Sequence, residues 1–277
     1  MTAAADRTGE GGTYTHGHHD SVLRSHRWRT VENSAAYLAP WLRAGLDVLD
    51  VGCGPGTVTV DVARRVAPGR VVGLDASEDV LAEARAAAAG AGVDVRFETG
   101  DVHRLDHADR SFDVVHAHQV LQHLADPVAA LREMRRVTRP GGLVAARDAD
   151  YSAMTWFPPS EGLTAWSQLQ DRVHRAHGGE PDAGRRLRSW ALAAGFDHVA
   201  SSASVWCFAT VEDREWWSSL WAERVTSSGL ATGALALGAA TRDDLEGIAR
   251  AWRAWGAQPH GWFAVVHGEI LCRARPA

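Results

Sequence analysis

The sequence predicts a doubly wound α/β fold, and three observations predict it. Apolar strand-like runs alternate with amphipathic helical stretches from residue 47 to residue 146. A glycine-rich turn, Gly52-Cys-Gly54-Pro-Gly56, joins the first of these strands to the first helix. An acidic residue, Asp75, closes the second strand. Alternation at this spacing builds a mostly parallel sheet, and right-handed crossovers place helices on both of its faces.

In chain order, residues 1–13 are small, polar and Gly-rich, and disorder is expected there. The stretch from Val22 to Leu42 reads as one helix, with Val31, Ala35, Leu38 and Leu42 on one face and His26, Arg29, Asn33 and Tyr37 on the other. Pro40 and Gly45 supply its stop. Five strands are expected at 47–51, 70–74, 94–98, 112–116 and 143–146, with helices at 58–66, 80–89 and 128–137. After Tyr151 the alternation breaks. Helices are expected at 162–176 and 183–194, the second stopped by Gly195, and a strand at 199–208. Residues 211–255 read as largely helical, broken by small residues at 229–238, and a last strand covers 262–272. Seven strands in all give a Rossmann-like sheet. Its segments are a disordered start and lid helix (1–45), a core (46–150), and cap helices with the last two strands (151–277).

Composition removes several function classes. Hydrophobic residues at 45% and charged residues at 23% describe a chain that folds around an apolar core in water. A net charge of −5 and the lack of a long basic run exclude nucleic acid as the expected partner. No apolar stretch reaches the ~18 residues of a membrane span, and the start MTAAADRTGEGG has no secretion-signal pattern. Cys53, Cys207 and Cys272 form no CxxC pair, so a reduced, cytoplasmic setting is expected. Tryptophan is in surplus: of 12, only Trp28 and Trp41 precede residue 150. These rings either pack a cap of short helices or line an apolar pocket.

The chemistry-bearing motifs begin with Asp50-Val-Gly52-Cys-Gly54-Pro-Gly56. Glycine there admits positive φ and lets the backbone approach a ligand, and the spacing is GxGxG rather than the GxGxxG of a nicotinamide site. Asp75 can accept from both hydroxyls of a ribose; the alternative is a helix cap, since Asp75-Ala-Ser77 precedes a helix. Gly100-Asp101-Val102 follows the third strand. The run Phe112-Asp113 through His118-Gln119 to His123 forms a strand entering a loop, and Arg136 to Gly142 turns into the fifth strand.

Together and in this order, these motifs resemble the class I S-adenosylmethionine (SAM)-dependent methyltransferases, specifically their UbiE-like small-molecule branch. The likeness is specific over about 46–150 and looser to about 210, through Gly184-Arg-Arg-Leu and Ala193-Ala-Gly195-Phe196. It implies SAM as cofactor and S-adenosylhomocysteine as product. It further implies that Gly52, Gly54 and Gly56 surround the methionine part and ribose, with Asp50 supporting the turn. Asp75 would bind the ribose hydroxyls, Asp101 the adenine amino group and the Val102 N–H the ring. The backbone of His118 and Gln119 would contact the methionyl end.

Methyl transfer asks mainly for positioning, because the sulfonium is already electrophilic. A base is needed only where the acceptor must lose a proton. His123, just past the fourth strand, is one candidate, against a structural role. Asp148, Asp150 and Tyr151 near the end of the fifth strand are others, at the edge where such sheets bind ligands. His16, His18 and His19 match no metal-ligand spacing, so no metal is expected. Tyr14, His16 or Arg29 would instead serve a lid over the cofactor, or the segment is a solvated helix face. Tyr151, Trp156 and Phe157 leave the fifth strand directly and are expected to roof the acceptor. Trp156-Phe-Pro-Pro159 lies after the wrong strand for the Pro-Pro signature of amino-methylating DNA enzymes. The acceptor is expected to be a small, largely apolar or aromatic molecule methylated at oxygen, sulfur or carbon. The rival reading is a SAM-binding protein of this fold that transfers no methyl.

Overall fold

The computed structural model describes residues 19–274 and, before them, two short strands, Arg7–Thr8 and Gly12–Thr13, that pair antiparallel. Disorder was expected across those two strands. The other residues expected to matter in 1–18, Tyr14, His16 and His18, lie outside the described residues.

Five parallel strands form the centre of the sheet. They are β1 (Val48–Val51), β2 (Val71–Asp75), β3 (Arg96–Thr99), β4 (Phe112–His118) and β5 (Thr138–Ala149). Two more long strands, β7 (Val199–Phe208) and β8 (Trp262–Arg273), and a short β6 (Thr155–Phe157) complete it. The order is 3-2-1-4-5-8, and β8 runs antiparallel to β5, β6 and β7. β5 pairs with β8 over His267–Arg273 and β6 over Trp262–Ala264, while β7 takes β8 from Phe263 to Cys272. β6 therefore continues the β5 edge, and β7 closes the other. The seven-stranded sheet is as expected, with β6 added.

The N-terminal stretch is not one helix. α1 (Asp20–Arg27) ends at Trp28, and Thr30 opens α2 (Val31–Ser34) with a reciprocal capping box to Asn33. That cap satisfies amides that a continuous helix would have paired internally, so the chain turns. A 3₁₀ turn, Ala39–Trp41, follows with Pro40 inside it. The apolar face still holds: Val31, Ala35, Leu38 and Leu42 are buried against β1, β4, β5 and α3 (Thr57–Val66). Tyr37, placed on the polar face by helical periodicity, packs against this same cluster.

α4 (Glu78–Ala91) stops at left-handed Gly92, and α5 (Pro127–Val137) starts from an Asp126 cap with Pro127 in its first turn. α5 and α7 (Ala183–Ala193) cover the opposite face of the sheet. β5 runs three residues past the expected end, so Asp148 lies within the strand.

β7 and β8 extend beyond the carboxyl end of β5. On this overhang pack α6 (Glu161–Ala176), α8 (Val211–Ser227), α9 (Gly229–Ala236) and α10 (Arg242–Gly256). The small residues from Gly229 form a helix rather than a break; the chain turns at Ser228 and again before Thr241. Trp166, Trp217, Trp221, Trp252 and Trp255 are buried here with Phe208 and Phe263 in edge-to-face and stacked pairs. The tryptophan surplus thus builds a second core.

Candidate functional site

Apolar strands ending at one edge leave a cleft there, because the loops beyond β1, β2, β3 and β4 diverge. Asp50, Gly52, Gly54, Asp75, Asp101, Val102, His118, Gln119 and His123 all line it, although they come from four separate segments. His26 and Arg29 from the N-terminal segment close one side.

The glycine turn is shaped for a neighbour. Gly52 has φ +65° and its missing Cβ would lie 2.3 Å from Val120 Cγ2, so any side chain would push into the β4 loop. Gly54, at φ +55°, opens toward the cleft, with only His26 Nδ1 near its Cβ position, at 3.7 Å. Gly56 is different. It caps α3 at φ +78°, and its Cβ position is 2.9 Å from the Ala84 Cβ, so it serves helix packing and does not line the cleft.

Asp50 is buried, accepting from Thr59 Oγ1 at 2.6 Å and meeting His116 Nδ1 at 2.8 Å. Its carboxylate stiffens the turn from below. Asp75 accepts from the Gly54 N–H at 2.9 Å and from the Ser77 N–H at 3.1 Å, so its carboxylate braces the glycine turn and the entry to α4. The expected capping role is not what these bonds perform, since Ser77 is the N-cap of α4 and receives no side-chain cap; a carboxylate offers about four lone-pair directions in all. Asp101 takes two hydrogen bonds from His103, to its N–H (2.9 Å) and Nδ1 (2.8 Å). Partial burial raises its pKa, and these bonds outweigh that and hold the carboxyl below the usual range.

Gln119 occupies a strained position, φ +54°, held by its N–H to the Arg147 carbonyl at 2.7 Å. Its side chain bridges two groups. Arg29 Nη2 donates to Oε1 at 2.6 Å, and Nε2 meets His267 Nε2 at 2.9 Å. His267 Nδ1 faces the Val265 carbonyl at 3.1 Å and must carry the proton there, so its Nε2 accepts from the amide.

The expected catalytic groups are placed unequally. His123 lies on the cleft wall, its ring stacked on His174 at 4.9 Å, with Nε2 3.0 Å from Gln122 Nε2. Gln122 Oε1 accepts from the Ala149 N–H, so its amide nitrogen donates to His123 and occupies the imidazole lone pair. Burial, then His174 and Arg29, push the His123 pKa well below the usual histidine value. Asp148 does not reach the cleft. It is fully buried and accepts from the Gln122 N–H at 3.1 Å; burial drives its carboxyl up to about 8 despite that bond and Arg147. Asp150 is tied to Arg185 by two 2.6 Å contacts.

The expected roof is elsewhere too. Trp156 stacks on Phe263 at 5.8 Å, Phe157 is exposed, and Tyr151 packs edge-on to His174. None of the three lines the cleft. The reason is the pairing of β6 with β8, which turns Trp156 into the tryptophan core. Arg29 does meet the cleft, lying 5.7 Å from the Trp206 ring centroid. His19 caps α1, its Nδ1 accepting from the Ser21 N–H at 3.2 Å.

Residues that pattern reading missed group around Trp206, the ring beside Arg29: Arg147 and His267 pack on that ring, and Arg147 pairs with Glu269. A signal existed, since Arg147 and Glu269 each interrupt an apolar run. Their pairing across β5 and β8 required the fold.

A family model described as a methyltransferase domain matches residues 42–213. An uncharacterised methyltransferase of Schizosaccharomyces pombe, C1B3.06c, is 37% identical over 93% of this chain and 95% of its own length. The ubiquinone/menaquinone biosynthesis C-methyltransferase UbiE of Bdellovibrio bacteriovorus is 40% identical over 43% of this chain and 49% of its own. In fold, the chain is similar to the YcgJ protein of Bacillus subtilis, with a TM-score of 0.57, 18% identity, and coverage of 87% of this chain and 98% of that one.

Proposed function

The chain belongs to the methyltransferase-domain family of class I SAM-dependent methyltransferases, and from that premise we propose that the β1–β4 cleft holds the cofactor and delivers its methyl group to a small, largely apolar or aromatic acceptor. The observation that carries this reading is the convergence of the glycine turn, Asp75 and Asp101 on one cleft with apolar walls. The residues present fit an adenosyl group. Leu74, Val80, Val102 and Leu124 offer apolar surface to a flat ring, and Asp75 keeps acceptor capacity for a diol. Gly54 leaves open the volume that a Cβ would fill.

Bound there, SAM supplies a methyl group on a positively charged sulfur. The chain's own work is to bind, orient and exclude water. Asp50 keeps the turn rigid from below, and Asp75 would hold ribose hydroxyls while bracing the Gly54 amide. Asp101 and the Val102 N–H would meet the adenine edge. The backbone at His118 and Gln119, fixed by the hydrogen bond to Arg147, would meet the methionyl end. The acceptor would enter beside Arg29, His118 and His123 and lie in line with the reacting bond, which supplies much of the rate.

His123 is unsuited to remove a proton as it stands, because Gln122 occupies its lone pair and burial disfavours its charged form. In this reading it serves as a wall and N–H donor. Acceptors that ionise readily, or nucleophiles that need no base, fit such a site. The partial likeness to a quinone C-methyltransferase keeps carbon acceptors beside oxygen and sulfur.

The test is calorimetric binding of SAM and S-adenosylhomocysteine, followed by transfer of labelled methyl to a panel of phenols, thiols and quinols. Binding with transfer to one of these classes is the expected result. Binding without transfer to any class would favour a non-transferring member of the fold, and no binding would remove the cleft assignment.

A further inference from the structure

One row of side chains crosses the sheet next to the cleft. By strand register His118 (β4) pairs with Arg147 (β5), Arg147 with Glu269 (β8), and Glu269 with Ser202 (β7). All four therefore project from the same face, the one that α2 and Tyr37 cover. An interior row of this polarity is costly unless each group is paired.

The pairing is incomplete, and it is incomplete in one place. Arg147 is 1% exposed; its Nε reaches Ser204 Oγ at 3.0 Å and Glu269 Oε1 at 3.3 Å, and its guanidinium face lies 4.8 Å from the Trp206 ring centroid. Glu269 is itself satisfied by Ser202 and Ser204, at 2.7 and 2.5 Å. Both Nη atoms of Arg147 are buried and have no hydrogen-bond partner among the described residues. The same holds for both ring nitrogens of His118, which is 7% exposed, and for the Tyr37 hydroxyl. Trp206 joins these groups: Arg147 lies over its ring, and the His118 and His267 rings pack at 5.8 and 4.3 Å. Leaving a buried donor unsatisfied is costly, so an interior that gathers several of them beside a cleft is built to receive acceptor atoms.

We propose that the free edge of Arg147, with Tyr37 and His118, is a carboxylate-binding subsite opening from the His118 wall of the cleft. A guanidinium presents two parallel N–H groups along that edge, and a carboxylate matches them in plane at two oxygens. Tyr37 adds a third donor and His118 a fourth. Glu269 and Ser204 occupy the Nε corner only, which fixes the fork's direction and leaves its edge to the ligand. Arg29 lines the cleft, is bonded to Gln119 and lies over Trp206, the ring that also meets Arg147 and His118. The carboxylate has two possible sources, the acceptor or the methionyl end of the cofactor, and the proposal rests on the cofactor assignment above.

Two comparisons separate the sources. With S-adenosylhomocysteine bound, benzoate is titrated against benzamide by calorimetry. Without acceptor, SAM is titrated against decarboxylated SAM. Both are repeated with Arg147→Met, and with the double variant R147M/E269Q in case the lone Glu269 charge prevents folding. An acceptor subsite predicts at least tenfold tighter binding of benzoate than benzamide, lost in the variants, with SAM affinity unchanged. A cofactor subsite predicts at least a tenfold preference for SAM over its decarboxylated form, lost in the variants while decarboxylated SAM binds as before. No carboxylate preference in either comparison with the wild-type protein would overturn the subsite and leave a row satisfied by buried water only. A preference that survives in both variants would overturn it equally, by assigning the carboxylate to another cation. If the wild-type chain binds neither SAM form, the cofactor assignment has failed instead.

Discussion

Replacing Asp75 with Ala tests the cofactor assignment and separates it from the bracing of the two loops that Asp75 also performs. The carboxylate accepts two backbone N–H bonds, from Gly54 and Ser77, and retains lone pairs for a ligand. Losing the backbone bonds should cost about 1–3 kcal/mol of stability in total, at ~0.5–1.5 kcal/mol for each. For a chain of this size that lowers the melting temperature by roughly 2–4 °C per kcal/mol. Losing a charge-assisted bond to a ribose hydroxyl removes about 1.5–3 kcal/mol of binding energy, which is roughly a 10- to 150-fold rise in the SAM dissociation constant. Asp75→Asn should fall between, since its amide keeps one acceptor oxygen but turns an NH₂ toward one of the two amides. Calorimetry with SAM, paired with thermal melts of the ligand-free protein, reads the two effects separately. A lower melting temperature with an unchanged dissociation constant would refute the ribose role and leave Asp75 as a brace between the glycine turn and the start of α4.

Gly52→Ala should weaken SAM binding at least tenfold, since φ +65° and the 2.3 Å approach to Val120 both resist a methyl group; adding Val120→Ala should restore part of that, and no restoration would show that backbone strain alone decides. Trp156→Ala should cost about 3 kcal/mol through lost packing on Phe263 and Trp166, with SAM affinity and the acceptor's Michaelis constant unchanged; a tenfold rise in that constant on a stable protein would return Trp156 to the acceptor site. Asp148 predicts a pH effect: its carboxyl titrates near 8 when folded and near 3.8 when unfolded, so between those values folding takes up a proton and stability falls as pH rises. Denaturant melts of Asp148→Asn should therefore gain on the wild type as pH increases across that window, and a constant difference would mean that Asp148 stays ionised.

Much of this molecule could be read from local patterns, for a physical reason. A parallel strand buried on both faces must be continuously apolar, a βα turn that meets a ligand must be glycine, and the acid at the end of the next strand follows at a fixed distance. Each of these constraints acts over a few residues, so the strands and the glycine turn were legible locally, and the resemblance to the methyltransferase family then assigned Gly52, Gly54, Asp75, Asp101 and Val102 to one site. Gly56 shows the limit of the method, since the same local signal served packing against Ala84.

Where side chains from distant segments point depends on contacts that no local pattern carries. Trp156 follows the fifth strand at a spacing that suits a roof, yet β8 captures β6 by backbone pairing and turns the ring into a core of other tryptophans. Asp148 and Arg147 are chain neighbours on opposite faces of β5, so one accepts from the Gln122 amide while the other meets Glu269. Alternation in a strand makes that separation certain, but which face carries the cleft depends on the helices covering each one. Local pattern was enough for the sheet, the glycine turn and the family; the pairing of β8 with β5, β6 and β7 set which charges are buried together, because that pairing joins residues more than fifty positions apart.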